Sequence, residues 1–302
     1  MATASVIVCT YNRCQSLKET LQALSGQQLR NGLAMEILVV DNNSTDETRT
    51  VVQEASRGAR WPIRYLFEPA QGTTYARNRG IQEAQGDLVA FVDDDVIPEP
   101  SWVAALEEAF ETHRADCVGG KIIPLWASPP PRWLAQGRDH AKLWALLALL
   151  DLGPEPVVIS STNGHSLYGA NLAFRKTVFA DVGLFATHLG RRGSMLFSGE
   201  DTDILIRLLH ADKCVVYAPT AIVHHRIGPE RMRMGYFRRW KFHSGRQMSS
   251  LEGPARRPLA AWHVRECAQN GLSALWGRLR RDHDLWVERE LLFWFQLGRL
   301  VG

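Results

Sequence analysis

No apolar run in this 302-residue chain approaches the roughly 20 residues needed to cross a bilayer; Leu143 to Leu150 is far too short. The first apolar segment, Ser5-Val6-Ile7-Val8-Cys9, runs straight into polar Thr10-Tyr11-Asn12-Arg13, so no secretory leader is expected. Cysteine is scarce. The five thiols, Cys9, Cys14, Cys117, Cys214 and Cys267, are odd in number and scattered. No pair has zinc-finger or redox spacing, which excludes a disulfide framework and points to free thiols in a reducing cytosol. Thr10 to Ser16 contains no glycine, which argues against a glycine-rich loop cradling a triphosphate. Low-complexity tracts are absent, and so is any internal repeat beyond a strand–helix rhythm.

What is present is a chain with 45% hydrophobic content, enough for a full core. The net charge of +3 hides an asymmetry: residues 226–302 carry 15 Lys/Arg against 7 Asp/Glu, while the rest carries 20 against 25. Five of the ten tryptophans lie in that basic tail. The division predicts a catalytic module, residues 1–228, followed by a helical extension, residues 229–302.

The most telling segment is Asp93-Asp94-Asp95, placed directly after the buried-strand pattern Leu88 to Val92. Three adjacent carboxylates repel one another unless a cation relieves them. A hard divalent ion with open positions for phosphate oxygens is one solution. Around this segment the pattern alternates. Strands are expected at Ser5–Thr10, Glu36–Val40, Ile63–Phe67 and Leu88–Val92. Helices are expected after Ser16 and Ser44, each opening with capping-box form, and over Thr74–Ala84. Such alternation predicts a parallel sheet with helices on both faces and a ligand crevice beyond the carboxyl ends of its strands. Thr10-Tyr11-Asn12, Asp41-Asn42-Asn43 and the acidic trio should meet there. Further on, Trp102–His113 and Thr202–Leu209 read as helices, and Cys117–Leu125 and Cys214–Tyr217 as strands. His165–Phe174 is strand-like, and 133–160 reads as an insertion on the acceptor side.

Together, Ser5–Arg13, Ile37–Asp46, Ala76-Arg77-Asn78-Arg79-Gly80, Asp93–Asp95 and Gly199–Asp203 resemble a family 2 glycosyltransferase with the nucleotide-sugar-binding GT-A fold. Each motif alone is weak; five in the family's order and approximate spacing are specific. The resemblance implies a Rossmann-like, mainly parallel sheet and transfer of a sugar from a nucleotide donor, most simply a UDP-sugar, to a hydroxyl with inversion. It implies that Thr10, Tyr11, Arg13, Asp41, Asn43, Arg77, Asp93, Asp94, Gly169 and Asn171 bind nucleotide and donor. Asp95 and His225 would hold Mn2+ or Mg2+, and Asp201 would act as general base with Glu200 beside it. Chemistry agrees: an aromatic such as Tyr11 can stack on a base, Arg77 can reach diphosphate, and an attacking hydroxyl needs a carboxylate to take its proton. The competing readings are a plain loop aromatic for Tyr11, a turn residue for Asp41, a solvated helix charge for Arg77, a structural histidine for His225 and dipole-favoured helix acids for Glu200 and Asp201.

The Arg239-Trp240 pair lacks the glutamine that precedes it in processive synthases, so addition of a single sugar is expected. Arg231 to Arg246 interleaves basic and aromatic residues. Two readings stand: contact with an anionic membrane surface or lipid-linked acceptor, or a helical appendage packing on the catalytic domain or on another copy in a homo-oligomer. The acidic body argues against nucleic acid. Localisation is expected to be cytoplasmic, at the inner face of the membrane if the first reading holds. Two rival functions remain, a sugar-nucleotide nucleotidyltransferase and a non-catalytic nucleotide-binding scaffold; presence of both Asp95 and Asp201 weighs against the second.

Overall fold

A computed structural model describes residues 3–30, 34–135, 140–160, 165–191, 199–252 and 261–301. The chain divides into two compact units, one drawn from 1–125, 148–193 and 199–226, the other from 126–147 and 227–302.

The first unit is built on a nine-stranded sheet with the order β3-β2-β1-β4-β8-β6-β9-β5, β7 pairing with β9. Its strands are β1 (Thr3–Thr10), β2 (Ala34–Asp41), β3 (Ile63–Phe67), β4 (Leu88–Asp93), β5 (Val96–Pro98), β6 (Cys117–Trp126), β7 (Val157–Val158), β8 (Asn171–Arg175) and β9 (Val215–Ile227). The first four pair in parallel, whereas β8 runs antiparallel to β4 and β6, and β5 and β7 antiparallel to β9. The parallel half follows from sequence. β1, β2 and β4 are apolar on both faces, as strands covered by helices must be. Helix α1 (Cys14–Ser25) buries Leu17, Leu21 and Leu24, each worth about 1.5–3 kcal/mol of transfer free energy. It packs against α2 (Thr48–Ser56) and β5, while α3 (Thr73–Glu83) packs on β1 and β2.

Two details depart from the capping-box expectation. Neither Arg13 nor Glu47, the residues before α1 and α2, caps with its side chain. Instead Asp46 serves both helices: Oδ2 accepts from the Cys14 N–H at 3.0 Å and Oδ1 from the Thr48 N–H at 3.1 Å. One carboxylate therefore ties the loop after β1 to the loop after β2, and Asn12 adds a second tie by accepting from the Thr45 N–H at 2.7 Å.

Beyond β4 come α4 (Trp102–Thr112), α5 (Arg132–Ala135), α6 (His140–Ala145), α7 (Val178–Val182) and α8 (Glu200–His210). Of the stretch read as an insertion, 136–139 lie outside the described residues. The second unit ends in three 19-residue helices: α9 (Met234–Glu252), α10 (Ala261–Leu279) and α11 (His283–Val301). Contacts of α9 with α11 keep a constant offset, Arg238 to Glu290 and Phe242 to Trp294, so these two run parallel. α10 folds back antiparallel on α11, bringing Gly277 to Trp286 and His263 to Gln296. Among the described residues no helix is long and apolar enough to cross a membrane.

Candidate active site

Strand register gathers the predicted residues. Thr10 pairs with Asp41 and Cys9 with Asp93, so β1, β2 and β4 end together. Asp93 is the last residue of β4, and the chain then turns tightly through Asp94 and Asp95 into β5. The antiparallel pairing of β5 with β9 sets Val96 opposite His225. Along β9 the residues Val223, His225 and Ile227 are buried while His224 and Arg226 are not, so the two adjacent histidines diverge. His224 Nε2 lies 3.1 Å from Glu99 Oε1, and His225 Nε2 lies 3.3 Å from Asp95 Oδ1.

Asp93, Asp95 and His225 each bring one ligand atom to within 4.8 Å of the other two. Opposite ligands of a six-coordinate Mg2+ stand about 4.2 Å apart, and slightly larger ions need slightly more. Two carboxylates and an imidazole of this spacing therefore fit a divalent ion, with positions left for phosphate oxygens.

Asp94, the middle acid, turns inward. Its side chain accepts from Thr10 Oγ1 at 2.8 Å and from Arg13 Nη1 at 3.1 Å, and Thr20 Oγ1 lies 3.1 Å from its main-chain oxygen. Burial raises its pKa, Arg13 opposes the rise, and Asp95 adds to it. The same Arg13 nitrogen lies 2.8 Å from Asp95 Oδ2. Burial works against the Arg13 charge, but Asp94 and Asp95 more than offset it and its pKa ends raised. Asp94 thus anchors the turn, and Arg13 bridges it to the acid that faces the ligand space.

A second acid pair opens α8. Asp201 Oδ1 accepts from Arg77 Nη1 at 2.6 Å, and Asp201 Oδ2 from the Gly169 N–H at 2.8 Å. Arg77 lies on α3 and is buried, its guanidinium stacked over Phe91 at 5.7 Å and Phe185 at 5.2 Å. Burial alone would weaken its charge; Asp201, Glu200 and Asp93 reverse that and raise its pKa. A side chain at position 169 would overlap this guanidinium, so glycine is required by the close approach. Glu200 Oε1 stands 3.8 Å from Arg77, and among the described residues its Oε2 has no hydrogen-bond partner. Burial, then the charge of Asp201, pushes the Glu200 pKa up to about 7.

Asp41 is buried at the end of β2, accepting from the Ser44 N–H at 2.9 Å and from the Tyr65 hydroxyl at 2.7 Å. Tyr11 is exposed just past β1, and Asn43, also exposed, holds a left-handed φ of 70°. Asn171 is not brought to the crevice. Its side chain is fully buried, donating to Lys121 O and Ala221 O at 3.0 and 2.8 Å and accepting from Trp102 Nε1 at 2.8 Å. It joins β6, β8, β9 and α4, which leaves no amide group to meet a donor.

Sequence reasoning missed three contributors. Phe67 is exposed at the end of β3, paired in register with Asp41, so both strands flanking β2 finish at an exposed aromatic, Tyr11 just past β1 and Phe67 on β3. Tyr65 orients Asp41, and Thr20 secures the acidic turn. An exposed aromatic closing a strand was the available signal for Phe67; nothing local marked Thr20.

Comparisons with known proteins agree with this geometry. The model of Glycosyl transferase family 2 matches residues 5–183. A glucosyl-dolichyl phosphate glucuronosyltransferase of Haloferax volcanii is 28% identical over 255 residues, spanning 82% of this chain and 77% of the relative. Succinoglycan biosynthesis protein ExoM of Rhizobium meliloti is 26% identical over 261 residues, 85% of this chain and 78% of the relative. Among solved structures, mannosyltransferase PcManGT from Pyrobaculum calidifontis, in complex with GDP-Man and Mn2+, matches with a TM-score of 0.63 at 18% identity, covering 98% of this chain and 86% of that one. That last likeness speaks to the fold alone. With more than half of its length matched by the family model, this chain belongs to glycosyl transferase family 2 and is a glycosyltransferase of GT-A architecture.

Proposed function

We propose that the crevice moves a single sugar from a nucleotide sugar, a UDP-sugar foremost, to a hydroxyl of a saccharide or lipid-linked acceptor, with inversion at the anomeric carbon. The observation that carries this reading is a cluster able to hold a divalent ion, Asp93, Asp95 and His225, together with a carboxylate, Asp201, whose two oxygens are fixed from the protein side. Arg77 is ion-paired with Asp201 and Glu200, and the charge of Asp93 adds to their pull on it. Residues 1–228 would form the catalytic domain and 229–302 its extension.

In this reading Tyr11 and Phe67 flank the base and Asp41 accepts its imide hydrogen, while Thr10 and Asn43 border the nucleoside. Arg13 swings between Asp95 and the diphosphate. Asp93 meets the ribose or donor sugar, and Asp95 and His225 hold the ion. A bound Mn2+ or Mg2+ would neutralise charge gathering on the departing nucleoside diphosphate. Asp201 takes the acceptor proton as the hydroxyl oxygen bonds to the anomeric carbon and the bond from that carbon to the phosphate oxygen breaks. Because the attack comes from the face opposite the leaving group, configuration inverts. Glu200, with a buried oxygen that has no partner among the described residues, accepts from a sugar hydroxyl. The acceptor class draws support from the Haloferax volcanii relative, whose name specifies a glucosyl-dolichyl phosphate.

The test is transfer by Asp201→Asn, followed with the anomeric configuration of the wild-type product by proton NMR. Loss of the base should slow transfer by about 10²–10⁴-fold while nucleotide binding survives. Undiminished transfer, or a product that keeps the donor configuration, would overturn the mechanism.

A further inference from the structure

Helix α10 has two faces of opposite character. Toward α11 it turns Cys267, Asn270, Ala274 and Gly277. Cys267 and Asn270 contact α11 there, and Gly277 lets the Trp286 main chain approach. On the other side Leu272, Leu275, Trp276 and Leu279 follow one another at helical spacing and are 70%, 56%, 52% and 72% exposed. Nothing among the described residues covers this stripe. A lone exposed leucine needs no explanation, but four large apolar residues in one row mark a contact surface.

The row is bordered by cations. The Arg280 guanidinium stacks on the Trp276 ring at 4.4 Å, Arg281 follows it, and Arg265 sits two turns ahead of Leu272 on the same face. Of the nearby acids, Glu266 and Glu290 are engaged within the bundle, Glu266 accepting from Gln296 Nε2 at 2.7 Å, while Asp282 is exposed beside Arg281. Glu290 is held by Arg238 and Arg278 at 2.5 Å each, and Asp282 accepts from the Leu285 N–H at 3.0 Å. Residues 226–302 as a whole hold 15 basic side chains against 7 acidic ones.

We propose that this face of α10 docks on an anionic lipid bilayer. The leucines enter the boundary between headgroups and acyl chains, Trp276 lies at headgroup depth, and Arg265, Arg280 and Arg281 meet the lipid anions. Charge decides between occupants. A second copy meeting the same face would set one strongly basic segment against another, whereas an anionic surface complements it.

Flotation of the full chain with phosphatidylglycerol–phosphatidylcholine vesicles tests this without any readout of sugar transfer. The wild type should rise with the mixed vesicles and bind pure phosphatidylcholine at least about tenfold more weakly. Replacing Leu272, Leu275 and Leu279 together by serine should cost about tenfold or more on the mixed vesicles, with unchanged circular dichroism because all three are exposed. Arg280→Glu with Arg281→Glu keeps the apolar row and should lose only the preference for anionic lipid. Wild-type protein that stays below both vesicle types overturns the proposal. So does a dimeric mass by light scattering that falls to monomer in the triple-serine variant, which would make the occupant a second copy.

Discussion

The two carboxylate clusters of the crevice are neutralised in different ways. The trio after β4 leans on Arg13, whose side chain is 44% exposed, while the pair that opens α8 leans on Arg77, whose side chain is 6% exposed. An exposed counter-charge is screened and replaceable, so a divalent ion can take its place beside the acids. A buried one cannot leave without stranding its partners. The first cluster is therefore arranged for exchange, and the second for fixed geometry. The proposed binding of an ion and a donor needs the former; the proposed general base needs the latter.

Arg77→Leu would break this contrast most severely. It leaves Glu200 and Asp201 without their shared cation and should cost about 3–5 kcal/mol in urea unfolding. A loss below about 1 kcal/mol would mean that the pair is solvated and the contrast is false. Asp95→Ala comes next, with transfer expected to fall about 100-fold or more and excess Mn2+ failing to restore it. Glu200 supplies a pH test. Its folded pKa of about 7 lies above the unfolded value, so the stability it contributes is full at acid pH and drains away as pH rises to about 7. Urea midpoints compared across that window should decline for the wild type by on the order of 2 kcal/mol more than for Glu200→Gln. Equal slopes would show that Glu200 ionises like a surface acid. The smallest effect belongs to Arg13→Ala. Because Arg13 is half exposed and buried Asp94 keeps its bond from the Thr10 hydroxyl, the loss in stability should stay under about 1 kcal/mol. Calorimetry should at the same time record tighter Mn2+ binding, because the guanidinium no longer competes for Asp95 Oδ2.

The same contrast marks what the sequence could reveal. The parallel half was legible because β1, β2 and β4 are continuous apolar runs ending in polar motifs, a pattern that covered strands cannot avoid. The acidic trio announced itself by charge. The antiparallel half was harder. β9 extends from Val215 to Ile227, beyond the expected Cys214–Tyr217, and passes through Pro219, a residue rare inside strands. β5 is three residues long and offers no period at all. Helix starts moved because Asp46, distant in sequence from α1 and two residues ahead of α2, replaced the caps that Ser16 and Ser44 suggested. Asn171 shows the limit for single residues. The resemblance marked the small-residue turn Gly169-Ala170-Asn171 as a donor contact, yet Trp102, Lys121 and Ala221, all distant in sequence, use every polar atom of the Asn171 amide. Arg77 gives the converse: the sequence left a solvated helix charge as the alternative to a ligand contact, and only the packing of Phe91 and Phe185 reveals the burial that gives its charge such consequence.

The most direct test is thermal unfolding in UDP, GDP, dTDP and CDP, each with and without Mn2+, for the wild type and Asp95→Ala. A ligand that binds only the folded state at 100 times its dissociation constant adds about 2.7 kcal/mol, a shift easily read. The account predicts that one nucleoside diphosphate stabilises the wild type only when Mn2+ is present and that Asp95→Ala abolishes the effect. Stabilisation that ignores Mn2+, or survives in Asp95→Ala, would contradict the exchangeable cluster at the centre of the account.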